Sequence, residues 1–159
     1  MNIGILYLRP IEVTRMRAYG RHRDAARDAW MRMFDWLDER NYRANAVRGF
    51  GLVHKIEGRS SDRPNEASYD ACVEHHEGLR ADAGSGVDIA YVPGGAYLRT
   101  RFNGEIADLG IALRRLRIDE TARRGIAFDE TRPIIEVYLN DFTRTGNAPK
   151  IDLCVPVMI

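Results

Sequence analysis

Tyr69-Asp70-Ala71-Cys72-Val73 is answered late in the chain by Ile151-Asp152-Leu153-Cys154-Val155, and what precedes each copy turns this echo into a repeat. Residues 50–57 (Phe-Gly-Leu-Val-His-Lys-Ile-Glu) and 134–141 (Ile-Ile-Glu-Val-Tyr-Leu-Asn-Asp) are both strand-like. Each leads into a polar connection, 58–66 and 142–149, that reads as a hairpin loop. A helix is predicted upstream of each hairpin. The first is capped by Asp24, carries Ala26, Trp30, Met33 and Leu37 at helical spacing, and stops near Asn41. The second is capped by Asn103, shows the stripe Ile106, Leu109, Leu113 and Leu116, and ends by Gly125. Another strand-like stretch stands before each helix, at 11–19 and 88–102. The order strand–helix–strand–strand therefore occurs twice.

One such half is too small to bury a core of its own. The expected fold is α+β: tandem pseudo-twofold repeats forming an antiparallel sheet, with two helices on one face and a central groove. The 159 residues read as a single domain, with half one at about 1–78, a Gly/Ser-containing linker at 79–87 and half two at about 88–159. Ligand sites favour the seam between repeated units.

Composition excludes several functions. A formal net charge of +1 gives no field for direct nucleic-acid or membrane-surface binding. Of 24 basic residues only Lys55 and Lys150 are lysines, and the arginines are scattered and balanced by nearby acids, as a genome-wide composition bias produces. No run of about 18 apolar residues could span a membrane, and the first residues lack the marks of a signal peptide. Cys72 and Cys154 have neither metal spacing nor a disulfide framework, so a reduced cytoplasmic protein is the expectation. No cofactor motif and no metal site is expected; His75-His76 lacks a third ligand.

Within 132–141 the alternation sends Ile135, Val137 and Leu139 to one face, expected to be core. Ile134, Glu136 and Tyr138 go to the other. Aligning the halves with a two-residue longer loop in the first puts Leu52 opposite Glu136 and His54 opposite Tyr138. The groove wall then gathers Phe50, Leu52, His54, Ile134, Glu136 and Tyr138. A carboxylate in such a wall draws a cation, because desolvation penalises an unpaired charge. Aromatic rings add about 0.5–2 kcal/mol through cation–π attraction. An arginine across the ladder, Arg99 or Arg101, is the other partner that a strand glutamate takes. Aromatics at helical spacing are more often core, as is expected of Phe34; Trp30 or Trp36 is a candidate for the groove edge. Tyr19 and Tyr97, at the strands before each helix, are candidate walls.

Together these features resemble the GyrI-like small-molecule-binding domain, the effector-binding domain of some AraC- and MerR-type regulators, found alone in DNA gyrase inhibitor proteins. The residues that carry the resemblance are Pro133 to Asp141, Lys150 to Val157, the first-half copy Tyr69 to Val73, Ala29-Trp30, and Pro93-Gly94-Gly95-Ala96-Tyr97. Family members commonly carry Gly-Pro-Tyr before each helix, where this chain has Gly20-Arg21-His22 and Gly104-Glu105-Ile106. The resemblance implies that Glu136 contacts a cationic ligand. It implies a stand-alone module that senses or sequesters hydrophobic, cationic compounds in drug or toxin protection, with DNA gyrase as a further partner suggested by the stand-alone members. It also admits an enzyme, a hydrolase of strained electrophiles, with Glu136 as general base and Tyr138 or His54 orienting the water.

Overall fold

The computed structural model describes residues 2–54, 68–103, 108–139 and 150–159. In chain order the elements are β1 (Ile3–Leu8), β2 (Ile11–Tyr19), α1 (His22–Glu39), β3 (Gly49–Val53), β4 (Ser68–Glu74), β5 (Val87–Val92) and β6 (Gly95–Asn103). A helical run follows: α2 (Leu109–Arg114), a π-helical stretch Arg115–Glu120 and α3 (Thr121–Arg124). β7 (Ala127–Phe128), β8 (Ile134–Tyr138) and β9 (Lys150–Met158) complete the chain. The strand pairings are antiparallel, and the fold is α+β, as the repeat predicts.

The chain forms two compact units, Ile11–Val92 and Met1–Pro10 with Pro93–Ile159. They divide the chain differently from the expected halves, and strand pairing is the reason. β1 hydrogen-bonds to β6, and β5 hydrogen-bonds to β2. Each unit thus takes its outer strand from the other repeat. The expected single strand at 88–102 is cut in two by Pro93-Gly94. A Cβ on Gly94 would lie 2.8 Å from Pro10 Cδ and 2.9 Å from the Leu8 carbonyl, so only glycine fits there. Residues 79–87 are not a loose joint. Asp82 and Val87 exchange two backbone hydrogen bonds of 2.9 Å, and Leu79 is buried.

In the Ile11–Val92 unit the strands run β3-β4-β2-β5. α1 covers the face that carries Tyr69, whose hydroxyl accepts from Trp30 Nε1 at 2.9 Å. The helix starts earlier than expected. Its N-cap is Arg21, without a side-chain cap, and Asp24 lies in the first turn, where a carboxylate still favours the helix N-terminus. Its buried stripe is Ala25, Ala29, Met33, Trp36 and Leu37, one step round from the predicted one. Phe34 is therefore only half-buried, under the Arg43 guanidinium at 4.3 Å, while Trp36 is core. The stop near Asn41 holds: this residue takes φ 52°, and Tyr42 N–H reaches back to Leu37 O at 3.0 Å.

In the other unit the strands run β1-β6-β9-β8, with β7 on β9. Leu109, Leu113 and Leu116 are buried as predicted, and Gly125 closes the run at φ 67°. Asn103 ends β6 instead of capping a helix, and the predicted Ile106 lies outside the described residues. The π-helical stretch had no sequence signal. Thr121 follows it directly, its hydroxyl donating to Arg117 O at 2.6 Å within the stretch. Arg132 clamps this unit. Its guanidinium donates to the carbonyls of Gly94, Ala96 and Val157 at 3.3, 3.1 and 2.9 Å and to Asp129 at 2.8 Å.

Candidate ligand-binding site

β8 contains Glu136, as the alternation predicts; Ile135 is buried as expected, but the face of Ile134 and Glu136 is buried too, and the expected core residues Val137 and Leu139 are the more open ones. Ile134 and Glu136 are 1% and 2% exposed, whereas Val137 is half-buried and Leu139 is 39% exposed. Register explains this. Glu136 stands opposite Leu153, and Tyr138 opposite Ile151, so the Glu136 face runs on through Leu98, Thr100 and Phe102 of β6, all buried. The other face carries Val137, Asp152 and Arg101 in one row and Ile135, Cys154 and Arg99 in the next. Arg99 and Arg101 pair with Asp152, at 3.6 and 3.0 Å, and lie on the face away from Glu136. The tyrosine hydroxyl of Tyr138 stands 3.4 Å from Glu136 Oε1. A carboxylate is thus held in an apolar sheet face with an aromatic ring at its rim. Burial on this scale costs several kcal/mol for an ion and is sustained only by partners.

The first-half residues expected on the same wall do not match Glu136 in register. Leu52 pairs with Asp70, the counterpart of Asp152, so Leu52 answers to Val137 and Gly51 answers to Glu136. His54 N–H bonds to Ser68 O as Leu139 N–H bonds to Lys150 O, which equates His54 with Leu139 rather than Tyr138. Phe50, Leu52 and His54 therefore lie on the Asp70 face of their own unit, while Ile134, Glu136 and Tyr138 lie on the opposite face of theirs. The first connection is longer by three residues rather than two (55–67 against 140–149), so the expected alignment is off by one position, and in a strand one position changes the face.

Phe50 and Leu52 are 1% exposed. Trp30 is half-buried on α1, bonded to Tyr69. Tyr97 is fully buried, its hydroxyl donating to Pro93 O at 2.6 Å and its ring under Arg132 at 4.8 Å, so it is core. Tyr19 is 66% exposed and borders an open cleft of about 410 Å³ shared with Arg15, Arg17, Gly86 and Asp88.

Asp70, one half of the sequence echo, is the centre of a charge cluster. It is fully buried and accepts from Arg17 Nε and Nη2 at 2.7 and 3.1 Å and from His54, with Arg15 at 3.6 Å. Burial alone would raise its pKa; the hydrogen bonds from His54 and Arg17 outweigh that and hold it below the usual value. Arg15 adds a two-pronged bond to Asp88, at 2.9 and 2.6 Å. The sequence carried a signal for these arginines: Arg15-Met16-Arg17 and Arg99-Thr100-Arg101 occupy matching places in the two repeats. Cys72 and Cys154 lie beneath them. Burial pushes the Cys154 thiol up to about 12 and the Cys72 thiol well above its ordinary value, so neither is a nucleophile at neutral pH. Among the described residues no group of three or more His, Cys, Asp or Glu is placed to hold a metal, and no helix is long and apolar enough to cross a membrane.

The family model for the GyrI-like small molecule binding domain matches residues 1–158. No curated protein sequence matches the chain. Among solved structures, the EcmrR C-terminal domain superposes with a TM-score of 0.72 at 11% identity, covering 99% of this chain and 97% of that one. SAV2435, solved bound to tetraphenylphosphonium, gives 0.62 at 13% identity, over 99% and 94%. A hydrolase from Listeria innocua gives 0.60 at 10% identity, over 98% and 91%. At such identities these likenesses show a shared fold.

Proposed function

The chain belongs to the GyrI-like small molecule binding domain family, and from that membership we propose that it binds a hydrophobic, cationic small molecule at Glu136. It would sense or sequester the compound, as an effector or protective module. The observation that carries the reading is a carboxylate 2% exposed in a largely apolar sheet face, in one row with Leu153 and Thr100 and beside the half-buried ring of Tyr138. Such a wall favours flat, apolar, positively charged molecules, since the ligand's charge meets Glu136 and its hydrocarbon meets Ile134 and Tyr138. SAV2435, similar in fold, was solved with a lipophilic cation. A cytoplasmic setting fits the two free, buried cysteines.

Titration with tetraphenylphosphonium tests the reading. Saturable quenching of Trp fluorescence is expected for the wild type, weakened about tenfold or more in Glu136→Gln, the equivalent of ~1.4 kcal/mol. Equal affinity in the two proteins, both shown folded by urea melts, overturns it.

A second reading has one observation of its own, the Tyr138 hydroxyl 3.4 Å from Glu136 Oε1. In a hydrolase, Glu136 would take the proton of a water attacking an electrophilic ring carbon while Tyr138 orients that water; the strained ring bond breaks as the C–O bond forms, and the opened fragment that keeps its electron pair takes the proton back from Glu136. Turnover beyond one equivalent of a strained electrophile, lost in Glu136→Gln, would favour this reading.

A further inference from the structure

The two repeats lay the same polar rows across their strands, with one substitution. In the Ile11–Val92 unit, Asp88, Arg15, Cys72 and Phe50 are successive cross-strand partners. In the other unit the row reads Gly4, Arg99, Cys154 and Ile135. The neighbouring rows agree as well: Arg17 faces Asp70 as Arg101 faces Asp152. Gly4 therefore stands where the first row has an aspartate.

The consequence falls on Arg99. Arg15 spends its Nε and one Nη on Asp88, at 2.9 and 2.6 Å, and points the remaining Nη at Asp70. Arg99 reaches Asp152 through Nη1 at 3.6 Å, and among the described residues that is its one carboxylate partner. Arg101 holds Asp152 through Nε at 3.0 Å. Gly4 stands opposite Arg99 in the strand register, as Asp88 stands opposite Arg15. A Cβ built on Gly4 meets nothing within 4 Å among the described residues. Charges follow the same pattern. Among the described residues, Arg15 and Arg17 are matched by Asp70 and Asp88, whereas Arg99 and Arg101 are matched by Asp152 alone, a balance of one positive charge on a half-exposed sheet face.

We propose that Arg99, assisted by Arg101, binds the carboxylate of a short organic acid over Gly4, in the position that the Asp88 carboxylate takes beside Arg15. A planar carboxylate matches the two parallel N–H donors of a guanidinium edge. The side of Gly4 that a Cβ would occupy is open among the described residues, where the first row carries the Asp88 side chain. The site is independent of Glu136, which lies on the other face of β8. It takes an anion, where the Glu136 reading takes a cation, so either can fail alone.

The test follows the arginine Nε–H resonances by NMR while sodium succinate is added, with sodium chloride holding ionic strength constant. The Arg99 resonance is expected to shift saturably and the Arg15 resonance to stay in place. Gly4→Asp supplies the carboxylate from the chain itself and should weaken succinate binding at least tenfold. Asp88→Gly should give Arg15 the same saturable response. A non-saturating Arg99 shift, a shift that chloride alone reproduces, or an unchanged affinity in Gly4→Asp would overturn the proposal. The wild-type comparison of Arg99 with Arg15 decides it even if a variant fails to fold.

Discussion

Asp70 and Asp152 occupy the same register position, each opposite the second arginine of an Arg-x-Arg pair, and they differ in what surrounds them. Asp70 is fully buried beneath Arg15, Arg17 and His54, with Asp88 completing the charge balance. Asp152 keeps 11% of its side chain exposed, between arginines that are 43% and 51% exposed. A repeat preserves the backbone frame, while single positions decide whether a cluster closes into structure or stays open to a ligand. The other faces diverge in the same way. Gly51 and Ala71 form one cross-strand pair, and the matching pair in the other unit is Glu136 and Leu153. In each comparison, one repeat has a glycine where the other has a carboxylate.

The largest expected difference is between Asp70→Asn and Asp152→Asn. The first leaves three basic groups around a neutral buried amide and should cost about 3 kcal/mol in urea unfolding. The second disturbs screened pairs and should cost ~1 kcal/mol or less. Equal losses would break the comparison. Acid sharpens it. The folded-state pKa of Asp70 is depressed, so the stability it contributes is present above its unfolded value, about 3.9, and is lost as pH falls through the lower folded value. Asp129 behaves alike, held at about 2, first by the Thr131 hydroxyl and then by Arg132. Unfolding stability of the wild type should fall steeply below pH ~4, and Asp70→Asn should flatten that slope.

The next difference lies at the turns. β1 passes to β2 through Arg9-Pro10, and β5 passes to β6 through Pro93-Gly94. Gly95, at the start of β6, takes φ 125°, and a Cβ there would lie 2.5 Å from Arg132 Nη1. Gly95→Ala must strain the backbone and displace the guanidinium that holds three carbonyls. Thermal melts should show a loss of roughly 1–3 kcal/mol.

Much of this architecture was legible in the sequence. The Asp-x-Cys-Val echo, the alternation through Glu136 and the Leu109, Leu113, Leu116 stripe report local periodicity, and the fold kept them. The exchange of β1 and β5 between units was not legible, because Ile3–Leu8 and Val87–Val92 pair equally well on pattern and only tertiary pairing chooses. The wall at Phe50, Leu52 and His54 failed for a narrower reason. Loop length does not fix register, and the Arg-x-Arg pairs, which fix it through Asp70 and Asp152, passed as composition bias. Arg132 was invisible because its carbonyl partners, Gly94, Ala96 and Val157, are distant in sequence and meet only in the folded sheet.

Gly4 carries the smallest effect and the sharpest reading of the comparison. Its surroundings among the described residues are open, and its φ lies outside the left-handed region, so a side chain meets no steric objection. Gly4→Ala should therefore stabilise slightly, by about 0.4–1 kcal/mol, through the reduced freedom of the unfolded chain. Gly4→Asp should gain a further ~0.2–1 kcal/mol from its pair with half-exposed Arg99, and this increment should vanish at high salt while the alanine gain persists. A salt-independent increment would mean that the new carboxylate does not reach Arg99, and the two repeats would then differ at this position in backbone geometry as well as in side chain.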